Sequence, residues 1–420
     1  MESLTSSSSG EEKKKDYPIY HFERNEILIL LAIFFTSLSF ANFSPYAPVY
    51  LKEIFSVNSY LALGAISIIT NAMIVVGTPI WGRLADIFQP KKFVLLGIGS
   101  LSLMYFSLVF SNSSTFFLIV IFIGFLFGSA QTGNIYALAT KSTKKTKEVV
   151  LSKISIVMSL SWLIMSPIAG KIFDTMDNSY KIQMSIASIS CLISLLIVLF
   201  VKEYKEQEQE KEKTDVNSLK DKEKITEFVT PFVIFIALSF VFQAASGGFW
   251  SFNTLYFIDF LEIKARVYSN FLVVVTILGI FVSYLLGKVK TDFKNAILIM
   301  IFSLIQVVIF GIMTFNPYNS VLNLILYSVP MYPIYNISFY WIVTSLSNEK
   351  RRATAYGIFN SIGILGIIAG VILLGIVADK SLIIISMLKI SFYISIVAFI
   401  FSIALFVFIK KHVGTKQKQI

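Results

Sequence analysis

Residues 77–92 read GTPIWGRLADIFQPKK, a short charged joint between two long apolar blocks at about 60–82 and 92–111. A helix needs roughly 20 mostly apolar residues to cross the hydrocarbon core of a bilayer, and each block approaches that length. Runs this long exceed the usual length of a strand. The joint therefore predicts a hairpin of two membrane-spanning helices.

The same alternation of apolar block and polar joint continues along the whole chain. The 420 residues are 55% hydrophobic, with a mean hydropathy of +0.75, which exceeds the average of soluble domains. Twelve blocks are long enough to span a membrane, at about 27–51, 60–82, 92–111, 115–139, 149–172, 182–201, 229–257, 266–287, 295–315, 320–346, 353–378 and 382–409. We predict an all-α membrane protein with twelve transmembrane helices.

Acidic residues avoid these blocks. Of the 25 Asp and Glu, six fall in the tail that includes Glu26, nine fall in 202–228, and ten fall at block ends or joints. A charge at the centre of a spanning helix costs about 2.5–3.5 kcal/mol on insertion scales, so we expect no deep carboxylate. Lys153, Lys171 and Lys389 lie a turn or two inside their blocks, and we expect them to snorkel outward.

The basic residues predict the orientation. Alternate joints, counted from the amino-terminal tail, hold 29 of the 36 Lys and Arg, which places both termini in the cytoplasm and requires an even number of spans. This bias explains the net charge of +11 without a nucleic-acid partner. The first block has no cleavage site after it, so we interpret it as a retained helix.

The chain divides into two halves with a weak internal repeat. We predict a disordered tail (1–26), a six-helix half (27–201), a linker (202–228), a second six-helix half (229–409) and a tail (410–420). Gly170–Asp174 (GKIFD) recurs 205 residues later as Gly375–Asp379 (GIVAD), and Tyr50 with Tyr256 and Gly82 with Gly287 keep nearly the same shift. Parallel repeats of this kind place a midplane site between two bundles.

The joint at 82–92 also carries a family resemblance. Gly82-Arg83-Leu84-Ala85-Asp86 followed by Lys91 resembles the loop 2–3 signature of the major facilitator superfamily, although Ile87, Gln89 and Pro90 depart from it. The joint at 348–357 resembles the loop 10–11 of that family. The resemblance implies the two-bundle fold of this family, both termini cytoplasmic, and transport by alternating access.

In that family the loop forms a conformational latch. The resemblance assigns this role to Gly82, Asp86, Lys91, Lys92, Arg351 and Arg352, with Asp86 as the acid. The alternative for the cations is that they only set the topology. The run 45–51 (PYAPVYL) looks like the sugar and nucleoside symporter branch, but the same elements occur among drug exporters.

Neutral polar and aromatic residues form stripes on several blocks. The family's cavity is lined by helices 1, 4, 7 and 10, and most of the stripes fall there. The candidate substrate-binding residues are Asn42, Tyr46, Asn71, Gln131, Asn134, Gln243, Trp250, Asn253, Tyr332, Tyr335, Asn336 and Asn360. The alternative is that polar and small residues only mediate contacts between helices, which is common in membranes.

These observations predict a function. We expect a monomeric secondary transporter, in the cell membrane, that moves a small neutral or cationic organic solute. A non-transporting receptor or scaffold is one alternative, and a drug efflux antiporter coupled through membrane-edge acids such as Asp259 and Glu53 is another. With the lone Cys191 and no cluster of ligating residues, we expect no metal, no cofactor and no enzymatic activity.

Overall fold

The computed structural model describes residues 23–142, 147–176, 179–202, 222–289, 291–346, 352–381 and 383–417. Every regular element in these ranges is helical, and no strand occurs in them. Eleven helices in this part of the chain are long and apolar enough to span a membrane. The prediction of an all-α membrane fold is confirmed.

The amino-terminal half consists of α1 (Arg24–Phe43), α2 (Ala47–Phe55), α3 (Tyr60–Phe88), α4 (Pro90–Leu108), α5 (Ser114–Lys141), α6 (Lys147–Thr175) and α7 (Ser179–Leu199). Seven helices make six crossings here because the first crossing is broken at 44–46. Pro45 and Pro48 stand at this break. Proline removes a backbone donor and clashes with the preceding turn, so one continuous helix is unfavourable.

The carboxy-terminal half consists of α8 (Lys222–Trp250), α9 (Ala265–Leu286), α10 (Asp292–Phe315), α11 (Ser320–Tyr327), α12 (Tyr332–Ile334), α13 (Tyr340–Leu346), α14 (Arg352–Ser381) and α15 (Ile385–Gln417), with π-helical segments at Leu255–Phe260 and Tyr335–Phe339. The predicted tenth block, 320–346, is therefore a run of short helices. Pro330 and Pro333 lie in it, and no single piece reaches the length of a span. This broken crossing completes the predicted twelve.

The helix bounds differ from the predicted blocks at several ends. α1 begins at Arg24 rather than residue 27, and α8 begins at Lys222, inside the segment predicted as a linker. The tail up to residue 22 and most of the linker, 203–221, lie outside the described residues. The domain limits therefore stay predictions.

One end of the bundle carries a buried ion pair. We call it the near end, because α1 begins there; the opposite end, where α2 ends and α3 begins, is the far end. Lys153 Nζ lies 2.8 Å from Glu26 Oε1, and these side chains are 3% and 1% exposed. Lys153 is therefore buried rather than turned outward as expected, and Glu26, the last residue of the predicted tail, lies in the first turn of α1. Pairing compensates each charge for its lost hydration.

Four long helices make most of the contact between the halves. α3 packs against α14, and α6 packs against α9, so each half contributes two helices to the contact. Many large apolar side chains remain exposed on the outer surface, including Phe281, Phe315 and Tyr318. An apolar exterior of this extent suits a hydrocarbon surrounding rather than water.

Candidate functional site

Two adjoining cavities share Gly247 and Trp250 on α8. The C-half cavity, about 230 Å³, lies among α8, α9, α10 and the broken crossing α11–α13. The interhalf cavity, about 280 Å³, lies between the junction of α1 and α2, helices α3 and α5, and α8 and α14. Together they fall within the roughly 300–1,000 Å³ range of small-molecule sites.

Three helix breaks border these cavities. Pro45 in the first crossing and Thr254 in the seventh line the interhalf cavity, and Met331 in the tenth lines the C-half cavity. A break interrupts the internal hydrogen bonds of a helix, which a bilayer tolerates only where the backbone is buried in protein or lines a cavity. The breaks therefore supply polar backbone close to both spaces.

Trp250 lines both cavities, and a neighbouring ring packs against it. Its ring stacks on Tyr327, with centroids 6.0 Å apart and planes 19° apart. Asn253 Nδ2 donates a hydrogen bond of 2.7 Å to Tyr327 Oη, which fixes that second ring. Trp250 remains 41% exposed, so much of its surface is available to a ring placed in either cavity.

The C-half cavity combines aromatic walls with three carboxamides, those of Gln243, Gln306 and Asn336. Gln306 is 2% exposed, and its Nε2 donates a long hydrogen bond of 3.4 Å to the Phe242 carbonyl. Gln306 Oε1 has no hydrogen-bond partner in the described part of the chain. Tyr335 Oη lies 3.1 Å from Ser239 Oγ, which holds another wall residue in place.

The interhalf cavity is also polar without being charged. Asn71 Nδ2 donates to the Ser67 carbonyl at 2.8 Å, and Ser251 Oγ donates to Ser67 Oγ at 2.7 Å across the two halves. Among the described residues that line the two cavities, none is Asp, Glu, Lys, Arg or His. The arrangement can bind polar and aromatic groups, but it offers no counter-ion to a charged solute.

The structure brings together most of the predicted substrate residues. The members that line one or both cavities are Asn71, Gln243, Trp250, Asn253, Tyr332, Tyr335 and Asn336. They come from the second, seventh and tenth crossings. Whether they bind a substrate stays a prediction, but their grouping gives that prediction a location.

Five predicted residues lie elsewhere. Asn42 donates to the Gln183 carbonyl at 2.6 Å, in the contact of α1 with α7. Gln131 packs where Gly97 of α4 meets α5, and Asn134 donates to its own helix at Ala130. The other two are Tyr46, which is 1% exposed in a contact with Ser269, and Asn360, which is exposed on α14 outside both cavities.

Gln306 and Tyr327 are cavity residues that the sequence prediction missed. Gln306 stands inside an otherwise apolar predicted block, 295–315, which is a signal in itself because an amide in a bilayer needs a partner. The expectation that helices 1, 4, 7 and 10 line the cavity directed attention away from the ninth helix. Tyr327 belongs to the tenth crossing, where many aromatic residues offer no means of choosing among them.

Asp174 joins the halves at the far end. It stands near the end of α6, and its two carboxylate oxygens accept hydrogen bonds from the backbone N–H groups of Ala265 (2.9 Å) and Arg266 (2.8 Å). These residues begin α9. A helix start carries free N–H groups and a partial positive charge, so the carboxylate caps a helix of the other half.

Asp379 makes the corresponding contact with the halves exchanged: the acid belongs to the carboxy-terminal half and the capped helix to the amino-terminal half. It stands near the end of α14 and accepts hydrogen bonds from the backbone N–H groups of Tyr60 (2.5 Å) and Leu61 (3.2 Å), which begin α3. The acid and both donors lie 205 residues from their counterparts in the Asp174 contact. The repeat predicted from sequence thus corresponds to a pair of equivalent contacts. We call Asp174 and Asp379 the capping acids.

The glycines of the same repeat let the helices approach. A Cβ atom on Gly170 would lie 1.7 Å from Ser269 Oγ and 2.8 Å from the Ala265 carbonyl oxygen. A Cβ atom on Gly375 would lie 2.8 Å from Leu61 Cα. Distances below 3.0 Å are not found for real Cβ atoms, so glycine is required at both positions for this packing.

Two further contacts cross the far end. Lys52 forms an ion pair with Asp259, and Tyr46 Oη lies 2.8 Å from Ser269 Oγ while its ring stacks on Phe173. Partial burial, and then the negative charge of Asp259, raise the pKa of the Glu53 carboxyl above its ordinary value, with Lys52 opposing the shift. Within the described residues, the contacts that close the far end are thus one ion pair, two capped helices and one tyrosine.

Half of the six predicted latch residues cannot be placed within the described part of the structure. This applies to the side chains of Asp86 and Arg352 and to all of Arg351. Lys91 Nζ donates to the carbonyls of Leu199 (2.9 Å) and Val201 (2.6 Å) at the end of α7, where a cation is favourable. Gly82 has open space around it and Lys92 is exposed. The latch stays a prediction.

Fold and cavities together define a polytopic α-helical membrane protein whose two halves enclose ligand-sized cavities. The sequence profile described as Major Facilitator Superfamily matches residues 29–371. The chain belongs to the major facilitator superfamily. The family resemblance inferred from the joint at 82–92 is confirmed. A comparison with curated protein sequences found no match to this chain.

Solved structures share the fold at low sequence identity. The nucleoside transporter NupG is 16% identical, with a TM-score of 0.72 over 92% of this chain and all of its own. A bacterial homologue of the human lysosomal transporter Spinster, inward-facing and unoccupied, is 13% identical, with a TM-score of 0.71 over 92% and 97%. The human organic anion transporter MFSD10 is 13% identical, with a TM-score of 0.64 over 90% and 99%. These identities support a common fold only.

Proposed function

We propose that the chain is a secondary transporter that moves a small, neutral, ring-bearing organic solute across a membrane by alternating access. The observation that carries the proposal is a pair of uncharged cavities that share Trp250, one within the carboxy-terminal half and one between the halves. Carboxamides offer hydrogen bonds and aromatic rings offer stacking, while a charged solute would lose its hydration without gaining a counter-ion.

The closed far end suggests which side the cavities serve. The capping acids and the pair of Lys52 with Asp259 hold the halves together there, so we propose that solute enters from the near end in this state. The distribution of Lys and Arg would place the near end in the cytoplasm and the protein in the cell membrane. The similar fold of an inward-facing transporter is in keeping with this assignment.

Nucleosides are the first solutes to test. NupG is a nucleoside transporter of the same fold, and a nucleoside combines a flat ring with neutral hydroxyl groups. A multiply charged solute such as a sugar phosphate fits the described linings poorly, because they hold no basic side chain.

A non-transporting receptor is the alternative from another functional class. It predicts polar stripes that are packed shut, and the cavity volumes favour transport instead. An efflux antiporter coupled through membrane-edge acids would use groups such as Glu53 and Asp259, which lie in the far-end contacts. Uptake measured with and without a pH gradient separates coupled from uncoupled transport.

Trp250→Ala is expected to reduce uptake by about fivefold to a hundredfold in proteoliposomes supplied with radiolabelled uridine or adenosine. Loss of one aromatic stacking partner removes about 1–3 kcal/mol of binding to a base. Trp162→Ala is the matched control, because Trp162 packs on α6 outside both cavities. Unchanged uptake in Trp250→Ala, or equal loss in both variants, would contradict the role of the cavities.

A further inference from the structure

The C-half cavity holds a hydrogen-bond acceptor that the protein itself leaves unused. Gln306 lines the cavity and is only 2% exposed. Its Oε1 has no hydrogen-bond partner among the described residues. A buried acceptor without a partner costs about 1–3 kcal/mol. Such an atom is usually paired by something the folded chain does not supply. The oxygen has almost no accessible surface in the structure, so the Gln306 side chain, which lines the cavity, must turn toward that space for a ligand to reach it.

Two amide groups of the same cavity complement this acceptor. Gln243 and Asn336 line the cavity, and the Gln243 side chain also makes a hydrogen bond to Tyr335. The oxygen of Gln243 lies 3.5 Å from Ser246 Oγ. Its nitrogen carries two N–H groups, so one N–H stays available beside the bond to Tyr335. The lining thus presents one acceptor together with two donors.

The walls select a flat ligand. Phe242, Phe310 and Tyr327 line the cavity beside Trp250. Among the described lining residues there is no charge that would favour an ionised group. A planar ring fits between aromatic faces, and its edge meets the carboxamides.

We propose that the C-half cavity is a recognition site for planar heterocycles whose edge carries an N–H donor flanked by carbonyl acceptors, with Gln306 as the residue that determines specificity. Gln306 Oε1 accepts the ring N–H, and the amides of Gln243 and Asn336 donate to the carbonyls. The role of this site in the cell rests on the proposed function. The site itself is tested by measuring ligand binding to the purified protein.

The test compares 1-methyluracil with 1,3-dimethyluracil, which have the same ring and differ in whether the N3–H is present. Quenching of tryptophan fluorescence in the purified protein gives both dissociation constants. We expect the wild type to prefer 1-methyluracil by about tenfold to a hundredfold, the effect of leaving one buried group unpaired. Gln306→Met, which keeps the side-chain length and removes the acceptor, brings this ratio close to one.

Gln131→Met is the matched control. Gln131 is also a buried glutamine with an unpartnered Oε1, but it lies outside both cavities. It should keep the wild-type ratio. Thermal unfolding checks the fold, and Gln306→Met should be no less stable than the wild type, since it removes an unpaired acceptor.

Three results would overturn the proposal: no binding of either compound, no preference in the wild type, or a preference that survives in Gln306→Met. Binding with the expected preference but without uptake of any solute would leave the recognition site standing and overturn the transporter assignment. Uptake of other solutes without this preference in binding would support the transporter assignment and overturn the recognition site.

Discussion

Replacing both capping acids with asparagine should open the far end of the bundle. Each carboxylate accepts two backbone N–H groups at the start of a helix in the other half. Asparagine keeps one acceptor but loses the charge that a helix start favours, so each change should weaken closure by about 1–2 kcal/mol. The two contacts are separate, so their effects should add and shift the opening equilibrium roughly thirtyfold to a thousandfold.

A single cysteine can report this opening. Cys191 is the only native cysteine and is fully buried, so Cys191→Ser with Thr70→Cys places one thiol in the interhalf cavity. An impermeant maleimide applied to one face of membrane vesicles at a time should label it faster from the far end in the double variant. Asp292→Asn is the control, because Asp292 also stands at a helix start but bonds Trp341 within its own half. Equal labelling in all three proteins would show that the caps do not hold the end closed.

Alanine at both Gly170 and Gly375 should also open the far end, to an extent similar to that of the asparagine substitutions but through a steric clash. The added methyl groups would meet backbone atoms of the opposite half at 2.8 Å, and overpacking of this kind costs about 1–3 kcal/mol per site. Within an isolated helix the same change is favourable by up to about 1 kcal/mol. We therefore expect an intact fold whose halves no longer meet closely at the far end.

Spin labels at Asn58 and Lys264, which are exposed on opposite halves, measure that separation. The Gly170→Ala and Gly375→Ala double variant should shift the distance distribution to larger values, and its thermal unfolding in detergent should change little. Gly357→Ala provides the control on α14, because a Cβ atom there would meet nothing within 4 Å. A distribution identical to that of the wild type would mean that the neighbouring helix yields without opening.

Much of the fold could be predicted from the sequence because a charged residue in a bilayer costs a large free energy. This cost acts on each spanning segment separately, so it leaves a pattern that can be found segment by segment. The apolar blocks and the joint at 82–92 located the crossings and the family. The buried positions of Glu26 and Lys153 could not be predicted in this way. The two residues are 127 positions apart in the sequence, and no local pattern around either one indicates that they pair. The division of the tenth crossing was hidden because average hydropathy does not register a change in helix geometry.

The cavity was harder to predict than the fold. A polar stripe shows that a helix face needs partners, but it does not show whether the partner is a solute or another helix. Asn42 donates its amide N–H to a carbonyl of α7, whereas Gln243 lines the C-half cavity, although both occur as isolated amides in apolar blocks. Only the tertiary arrangement separates these outcomes, and it also brings in Gln306 from a helix that the family pattern does not assign to the cavity.

The exchange of capping acids between the halves has a consequence for the origin of the chain. Each half supplies one acid and one helix start, at positions related by the same shift of 205 residues. In a symmetric dimer of two identical six-helix chains, one acid and one helix start per subunit would generate both contacts, which is the defining property of an isologous interface. The closure of the far end therefore has the symmetry expected if the two halves arose by duplication of a self-associating six-helix chain.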